Sequence, residues 1–273
     1  MLAETAETIL RDYPEAAAGL GLDTDKRAGL KAKLSDRSGT GKQAMASHAR
    51  TILGKLKAID PGALSPAVRT NVEVVRAAYR DAVDGYGFAY GDVATLTSGW
   101  RNSPYAVAQN VGAYLDIPQM LEVDHKVETK ADAEAYLARM AAYAGQLDGE
   151  TERVRVAGAL GVALPDFALN QCLKQLDIAR SGPIEQWSIV AALAKKSATM
   201  PGDFGAKAAK LAADKIAPAL ARQIAAFEAQ RSTATSDAGA GKLPDGEAYY
   251  AWALRAATTT TMTPATIGTS TRQ

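Results

Sequence analysis

Two histidines and one cysteine are nearly all the soft metal ligands that these 273 residues offer. His48 and His125 lie far apart in the chain. Neither stands in a His-Glu-x-x-His context, the spacing that sets two imidazoles one turn apart with a glutamate to activate a bound water. Cys172 has no second cysteine to pair with, so intrachain disulfides are excluded and cysteine says nothing of the compartment. An excess of one charge is lacking too: Lys+Arg of 31 against Asp+Glu of 30 leaves a net charge of +1. A nucleic-acid partner, which needs clustered positive charge, is therefore not expected. No stretch reaches the ~20 apolar residues of a membrane span. Met1 runs at once into the polar segment LAETAETILRDYP, with no charged leader and no apolar run. The expected location is cytoplasmic as written, or periplasmic or exported if a signal peptide has been removed. Aromatics are only 6% of the chain, whereas hydrophobic residues are 47%, much of it alanine. Alanine favours helix but builds little core, so helices should approach one another closely. The length suits one large domain or two small ones.

Two further chemistries fail on spacing. Gly39-Thr40-Gly41-Lys42-Gln43 brushes against a phosphate loop, but Asp36 stands where the first glycine is required. Gln43 stands where a magnesium-binding Ser or Thr is required. The segment reads as a helix-initiating loop. No Gly-x-Ser-x-Gly elbow occurs, and with two histidines a nucleophilic triad has little support. Cys172 sits in an amphipathic helix as a small core residue.

What is present is helix after helix. Met45, Ala49, Ile52, Leu56 and Ile59 recur at three and four within Gln43 to Asp60, and Pro61-Gly62 closes the run. Ser65-Pro66 opens the next, with Val68, Val72, Val75, Tyr79 and Val83 on one face until Gly85. Thr129 precedes Asp132 by three, a capping-box pattern, and a stripe from Tyr136 to Leu147 follows. Further helices are expected over 150–160, 166–180 and 185–196. A long one over 204–231 should kink at Pro218, which lacks an N–H to donate. Residues 86–100 are ambiguous, and 232–241, STATSDAGAG, has a linker's composition. The fold class is all-α.

Polar and aromatic side chains gather in two places. Asn102, Ser103, Tyr105, Gln109, Asn110 and Tyr114 fall in one short segment. If Ser103-Pro104 starts a helix, Tyr105 and Gln109 share a face. They would grip a peptide backbone or, as buried polar groups must, satisfy neighbouring loop backbone. Glu247, Tyr249, Tyr250 and Arg255 pose the same choice; a tyrosine hydroxyl can steady a developing oxyanion, yet Tyr250 and Leu254 are spaced as core. The structural role is favoured for both groups. His125, beside Glu122, Asp124 and Glu128, is read as part of a solvated acidic turn rather than a metal site, and His48 as a surface or half-buried residue. No catalytic or metal-binding residue is assigned.

Residues Leu243 to Pro264 read LPDGEAYYAWALRAATTTTMTP. Thr263 and Pro264 suit the N-cap and first turn of a helix. Ala265, Thr266 and Ile267 begin it, but the chain then turns to GTSTRQ and stops. The expectation is a piece of something longer. This segment resembles the bacterial domain-of-unknown-function family 885, whose members show a Gly-x-x-x-Tyr helix, a Thr-Thr run and Thr-Pro before a helix beginning Glu-Ile-His. NSPYAVAQNVGAY over 102–114, ADAEAYLAR over 131–139, DGETER over 148–153 and LPDF over 164–167 resemble that family's other signatures. The likeness runs from about Thr8 to Ile267.

The resemblance implies a helical relative of zinc metallopeptidases of the thermostable-carboxypeptidase and oligopeptidase type. Full-length members are roughly twice as long and carry an HExxH-like zinc motif in the C-terminal half, which this sequence does not contain. Residues 1–231 would then be an N-terminal helical portion of a zincin-like fold, 232–241 a flexible loop, and 242–273 the severed start of the catalytic portion. No cofactor is expected on this chain, zinc being expected in the full-length family. The first functional reading is the portion that forms the substrate cleft of a metallopeptidase-like hydrolase, inactive alone. Its candidate contacts to a peptide or small amide are Asn102, Tyr105, Gln109, Tyr249, Tyr250 and Arg255. A severed fragment should also self-associate through its exposed face. The second reading is a stand-alone helical binding or interaction module. A metal-free enzyme has no motif behind it.

Overall fold

The three-and-four apolar spacing is realised as helix along most of the chain. The computed structural model describes residues 1–96, 101–263, 265 and 266. Among them are eleven α-helices: α1 (Leu2–Asp12), α2 (Pro14–Gly19), α3 (Gly39–Lys57), α4 (Pro66–Gly85), α5 (Ala113–Val123), α6 (Lys130–Ala159), α7 (Asp166–Arg180), α8 (Ser188–Lys196), α9 (Phe204–Leu211), α10 (Ala217–Glu228) and α11 (Gly246–Thr258). No strand ladder occurs among the described residues, only the isolated bridges Asp92–Ser103 and Ala108–Val111. No helix among them is long and apolar enough to cross a membrane.

Helix α6 is the axis. Its start is the capping box read from the sequence: Thr129 Oγ1 accepts from the Asp132 N–H at 3.2 Å, and the Asp132 carboxylate accepts from the Thr129 N–H at 2.8 Å. The spacing suggests two helices meeting near Asp148-Gly149, but α6 runs unbroken for 30 residues. Gly149 is not a break. It is a point of close approach, where a Cβ would lie 3.0 Å from Ser38 Cα at the start of α3. Tyr136, Met140, Tyr143 and Leu147 of α6 join residues of α5, α7, α8, α9 and α10 in the main core. Ala49, Ile52, Leu53 and Leu56 of α3 meet Val72 and Tyr79 of α4 in a second cluster.

Pro218 disrupts its helix differently from a simple kink. Between α9 and α10 the chain takes a wider π turn over Ala212–Ile216. The extra residue relocates the hydrogen bond that Pro218 cannot donate. The segment after Ser103-Pro104 is not helical. Ser103 Oγ accepts from the Tyr105 N–H at 3.1 Å and donates to the Tyr105 carbonyl at 2.8 Å, so the hydroxyl competes with helix formation. Asn110 and Gly112 then take positive φ, and α5 begins only at Ala113. Tyr105 and Gln109 share no helix face.

Arg139 on α6 is wholly buried. Its guanidinium donates to the carbonyls of Lys33 (2.9 Å), Leu30 (3.2 Å) and Pro14 (3.3 Å), pinning the N-terminal segment to the axis. It also donates to His125 Nδ1 at 3.0 Å, while His125 Nε2 donates to the Asp132 carbonyl at 3.1 Å. This corrects the reading of a solvated turn: Glu122 and Glu128 face water, but the His125 ring turns inward. Burial, reinforced by the Arg139 charge, lowers the His125 pKa to about 4.

Helix α11 docks on α4. Trp252 presses its ring into the notch left by Gly85 and donates its indole N–H to the Asp81 carbonyl at 2.7 Å. Arg255 pairs with Asp81 (3.0 Å) and Asp84 (2.6 Å) of the same helix. Beyond α11, Thr263 Oγ1 accepts from the Thr266 N–H at 3.2 Å, the hydrogen bond of an N-cap. Pro264 and residues 267–273 lie outside the described residues, as do 97–100 of the ambiguous segment.

Candidate functional site

A cleft of about 370 Å³ opens between α3, α6 and the loop that follows α4. Lys42, Gln43 and Arg50 line it from α3, and Glu152, Arg153, Val156 and Ala157 from α6. Tyr86, Phe88, Tyr90 and Gly91 close it from the loop. The loop is held in place by its own geometry. Gly91 has a φ of +72°, and a Cβ there would lie 2.3 Å from the Ser103 carbonyl oxygen, so only glycine fits without strain.

The cleft carries charge. Lys42 Nζ donates to the carbonyls of Tyr90 (2.9 Å) and Phe88 (3.3 Å). Burial, with Arg153 nearby, lowers its pKa to about 8, Asp92 opposing the shift. Arg153 is committed elsewhere: it donates to the Gly91 carbonyl at 2.8 Å and the Arg37 carbonyl at 3.3 Å, and pairs with Asp92. Beneath it Arg37 pairs with Glu150 (2.9 Å) and Asp116 (3.0 Å), and the Glu150 carboxylate accepts from the Ala113 N–H at 2.9 Å. This buried network fixes α3, α5 and α6 relative to one another.

Behind the aromatic wall lies a ring cluster. Tyr249 of α11 packs edge-on to Phe88 at 5.2 Å and to Trp252 at 5.3 Å, and tilted against Tyr90 at 5.4 Å. Tyr90 donates its hydroxyl to the Pro244 carbonyl at 2.7 Å. The Tyr249 hydroxyl is buried with no hydrogen-bond partner among the described residues. Such geometries add to the burial of each ring. A second cavity, of about 510 Å³ between α5, α7, α8 and α10, is lined by Tyr114, Trp187, Ile189 and Leu220 and by no charged side chain.

The structure places the sequence candidates as follows. Asn102 Oδ1 accepts from the Ala94 N–H at 2.8 Å and shapes the loop. Tyr105 is half-buried and packs against the cluster that contains Tyr249, while Gln109 is exposed. Tyr250 is exposed on the outer face of α11, and Arg255 is held by the two aspartates of α4. None of the six lines the 370 Å³ cleft. Lys42 and Arg153, which do, went unassigned. In the sequence Lys42 stands in a failed phosphate-loop pattern and Arg153 in the DGETER stretch, and neither spacing signals a cleft. The zinc of the resemblance does not fit the described residues. Both ring nitrogens of His125 are engaged, His48 pairs with Asp12, and no group of three or more His, Cys, Asp or Glu converges.

An all-helical body with a charged, aromatic-walled cleft is thus the class of protein in hand. The chain belongs to the family described as "Bacterial protein of unknown function (DUF885)", whose profile matches residues 14–272. No curated protein matches it. A solved structure does, described as "the putative lipoprotein from Colwellia psychrerythraea", with a TM-score of 0.85 and 20% identity. That match covers 94% of this chain and 45% of the other, so this chain spans less than half its neighbour's length. The likeness establishes the shared helical fold.

Proposed function

We propose that this chain is the substrate-holding helical portion of a metallopeptidase-like hydrolase, with any zinc held by residues outside these 273. The observation that carries this reading is the cleft at Lys42. Cationic and aromatic groups converge there in a recess sized for a small ligand, while the donors a zinc site needs do not converge among the described residues. Family membership and the greater length of the solved neighbour support it. The neighbour's description as a lipoprotein favours an exported location over a cytoplasmic one.

The test compares this chain with a family member of the neighbour's length. The longer protein is expected to hydrolyse short peptides and to lose that activity to a chelator. The 273-residue chain is expected to bind the same peptides without turning them over. Turnover by the metal-stripped 273-residue chain would refute the reading, as would a longer protein with no hydrolytic activity. Binding by this chain with no hydrolysis by the longer one would favour a helical binding module.

A further inference from the structure

Lys42 places a desolvated ammonium in the cleft with two of its three N–H donors on loop carbonyls. No carboxylate among the described residues pairs with it. Of the charged groups around it, Arg153 and Asp92 are bound to each other, and Glu152 lies 3.5 Å from Arg155. Arg50 lines the cleft on the same helix without an ion-pair partner among the described residues. Tyr86, Phe88 and Tyr90 supply apolar surface opposite, and Gln43 an amide. The arrangement is a cationic recess in which Lys42 and Arg50 both lack a paired carboxylate among the described residues, with a ring-sized apolar wall. A volume of about 370 Å³ lies at the small end of ligand sites and holds about one residue rather than an extended chain.

We infer that the cleft binds a monocarboxylate carried on an apolar, preferentially aromatic body, with Lys42 receiving the carboxylate and Tyr86, Phe88 and Tyr90 the ring. This rests on the reading of the cleft as substrate-holding and narrows it to a ligand class. A free aryl acid and the acylated last residue of a peptide share this chemistry. A paired anion favours the charged amine, so binding raises the Lys42 pKa from its value near 8. Affinity is then level below about pH 8 and falls above it, as the free amine loses its proton. The other charged groups around the cleft are Arg50, Arg153, Glu152 and Asp92. Burial raises the Tyr86 and Tyr90 hydroxyl pKa values, which keeps both protonated in this range.

The experiment is isothermal titration of the chain with N-acetyl-L-phenylalanine, its C-terminal amide and 3-phenylpropionate. Titrations at pH 7 and pH 8.5, in two buffers of different ionisation enthalpy, report proton uptake. A charge-assisted hydrogen bond predicts that the amide binds roughly ten- to hundredfold more weakly than the acid. Uptake of most of one proton is expected at pH 8.5 with little at pH 7. Lys42→Met should erase the preference for acid over amide while leaving amide binding in place. The pH 8.5 result on the unaltered protein stands even if that variant disturbs the loop. Tighter binding of N-acetyl-L-phenylalanine than of 3-phenylpropionate assigns the site to a peptide end, and the reverse to a free aryl acid. Equal binding of acid and amide with no proton uptake overturns the carboxylate assignment and leaves the cleft as a neutral peptide site. Failure of all three probes overturns both.

Discussion

Gly85→Ala tests how tightly α11 is seated on α4. The new Cβ would stand 2.1 Å from Trp252 Cζ2 and 2.6 Å from Cε2, well inside any tolerable contact. The indole has little room to retreat, because its N–H is bonded to the Asp81 carbonyl and Phe88 and Tyr249 flank it. Forcing one carbon into a packed site costs about 1–3 kcal/mol. Expelling the indole instead would forfeit a large part of the 3–5 kcal/mol that truncating a buried Trp costs, plus about 1 kcal/mol for its hydrogen bond. The expected loss is therefore about 2–4 kcal/mol, a drop of roughly 4–7 °C in melting temperature for a cooperative unit of this size. Gly54→Ala, in α3 with open space around it, is the control and should gain about 0.5–1 kcal/mol from helix propensity alone. Differential scanning calorimetry of both variants, and of Gly85→Ala in a Trp252→Leu background, completes the cycle. Removing the indole should shrink the Gly85→Ala penalty to well below half, since the clash is then gone. If Gly85→Ala is as harmless as Gly54→Ala, the notch does not seat the ring and the argument fails.

Acid should weaken the protein through His125. Its folded pKa, near 4, lies below the ordinary value of 6.5, so the unfolded chain binds more protons between those limits. The stability involved is fully present above about pH 6.5 and is lost as pH falls through 4, on the order of 3 kcal/mol in all. Urea midpoints measured across that window should depend less on pH in His125→Gln than in the parent, and an unchanged slope would refute the assignment. Tyr249→Phe removes a buried hydroxyl that has no partner among the described residues. It should be neutral or stabilising by up to about 1 kcal/mol in denaturant unfolding. A loss greater than 1 kcal/mol would reveal a partner for the hydroxyl.

The helices were legible wherever a short-range signal matched the final environment. Thr129 and Asp132 cap α6 through their own side chains, and Ser65 and Pro66 hold the N-cap position and first residue of α4, although the Ser65 side chain makes no capping hydrogen bond. The sequence misled where the deciding contact lay far along the chain. Gly149 looks like a stop because glycine weakens helices, yet it marks where Ser38 passes over α6. Ser103-Pro104 looks like a start because such pairs open helices, yet the Asp92–Ser103 bridge holds the backbone extended. His125 looks solvated because its neighbours are acidic, yet Arg139, fourteen positions on, and the Asp132 carbonyl hold its ring inside. The cleft was the least legible feature. Lys42, Tyr90 and Arg153 share no motif, and the hydrogen bonds that join them through loop carbonyls leave no trace in residue identity.

The Arg139 pin sets a clock on the ribosome. Its guanidinium satisfies carbonyls at Pro14, Leu30 and Lys33, 106 to 125 residues earlier in the chain. At ~5–20 residues per second, these segments are made about 5 to 25 seconds before the side chain that anchors them. Until then α1, α2 and the turn of Asp25–Ala32 have no axis to close upon. These early segments must wait in the open, where chaperones and proteases compete for them.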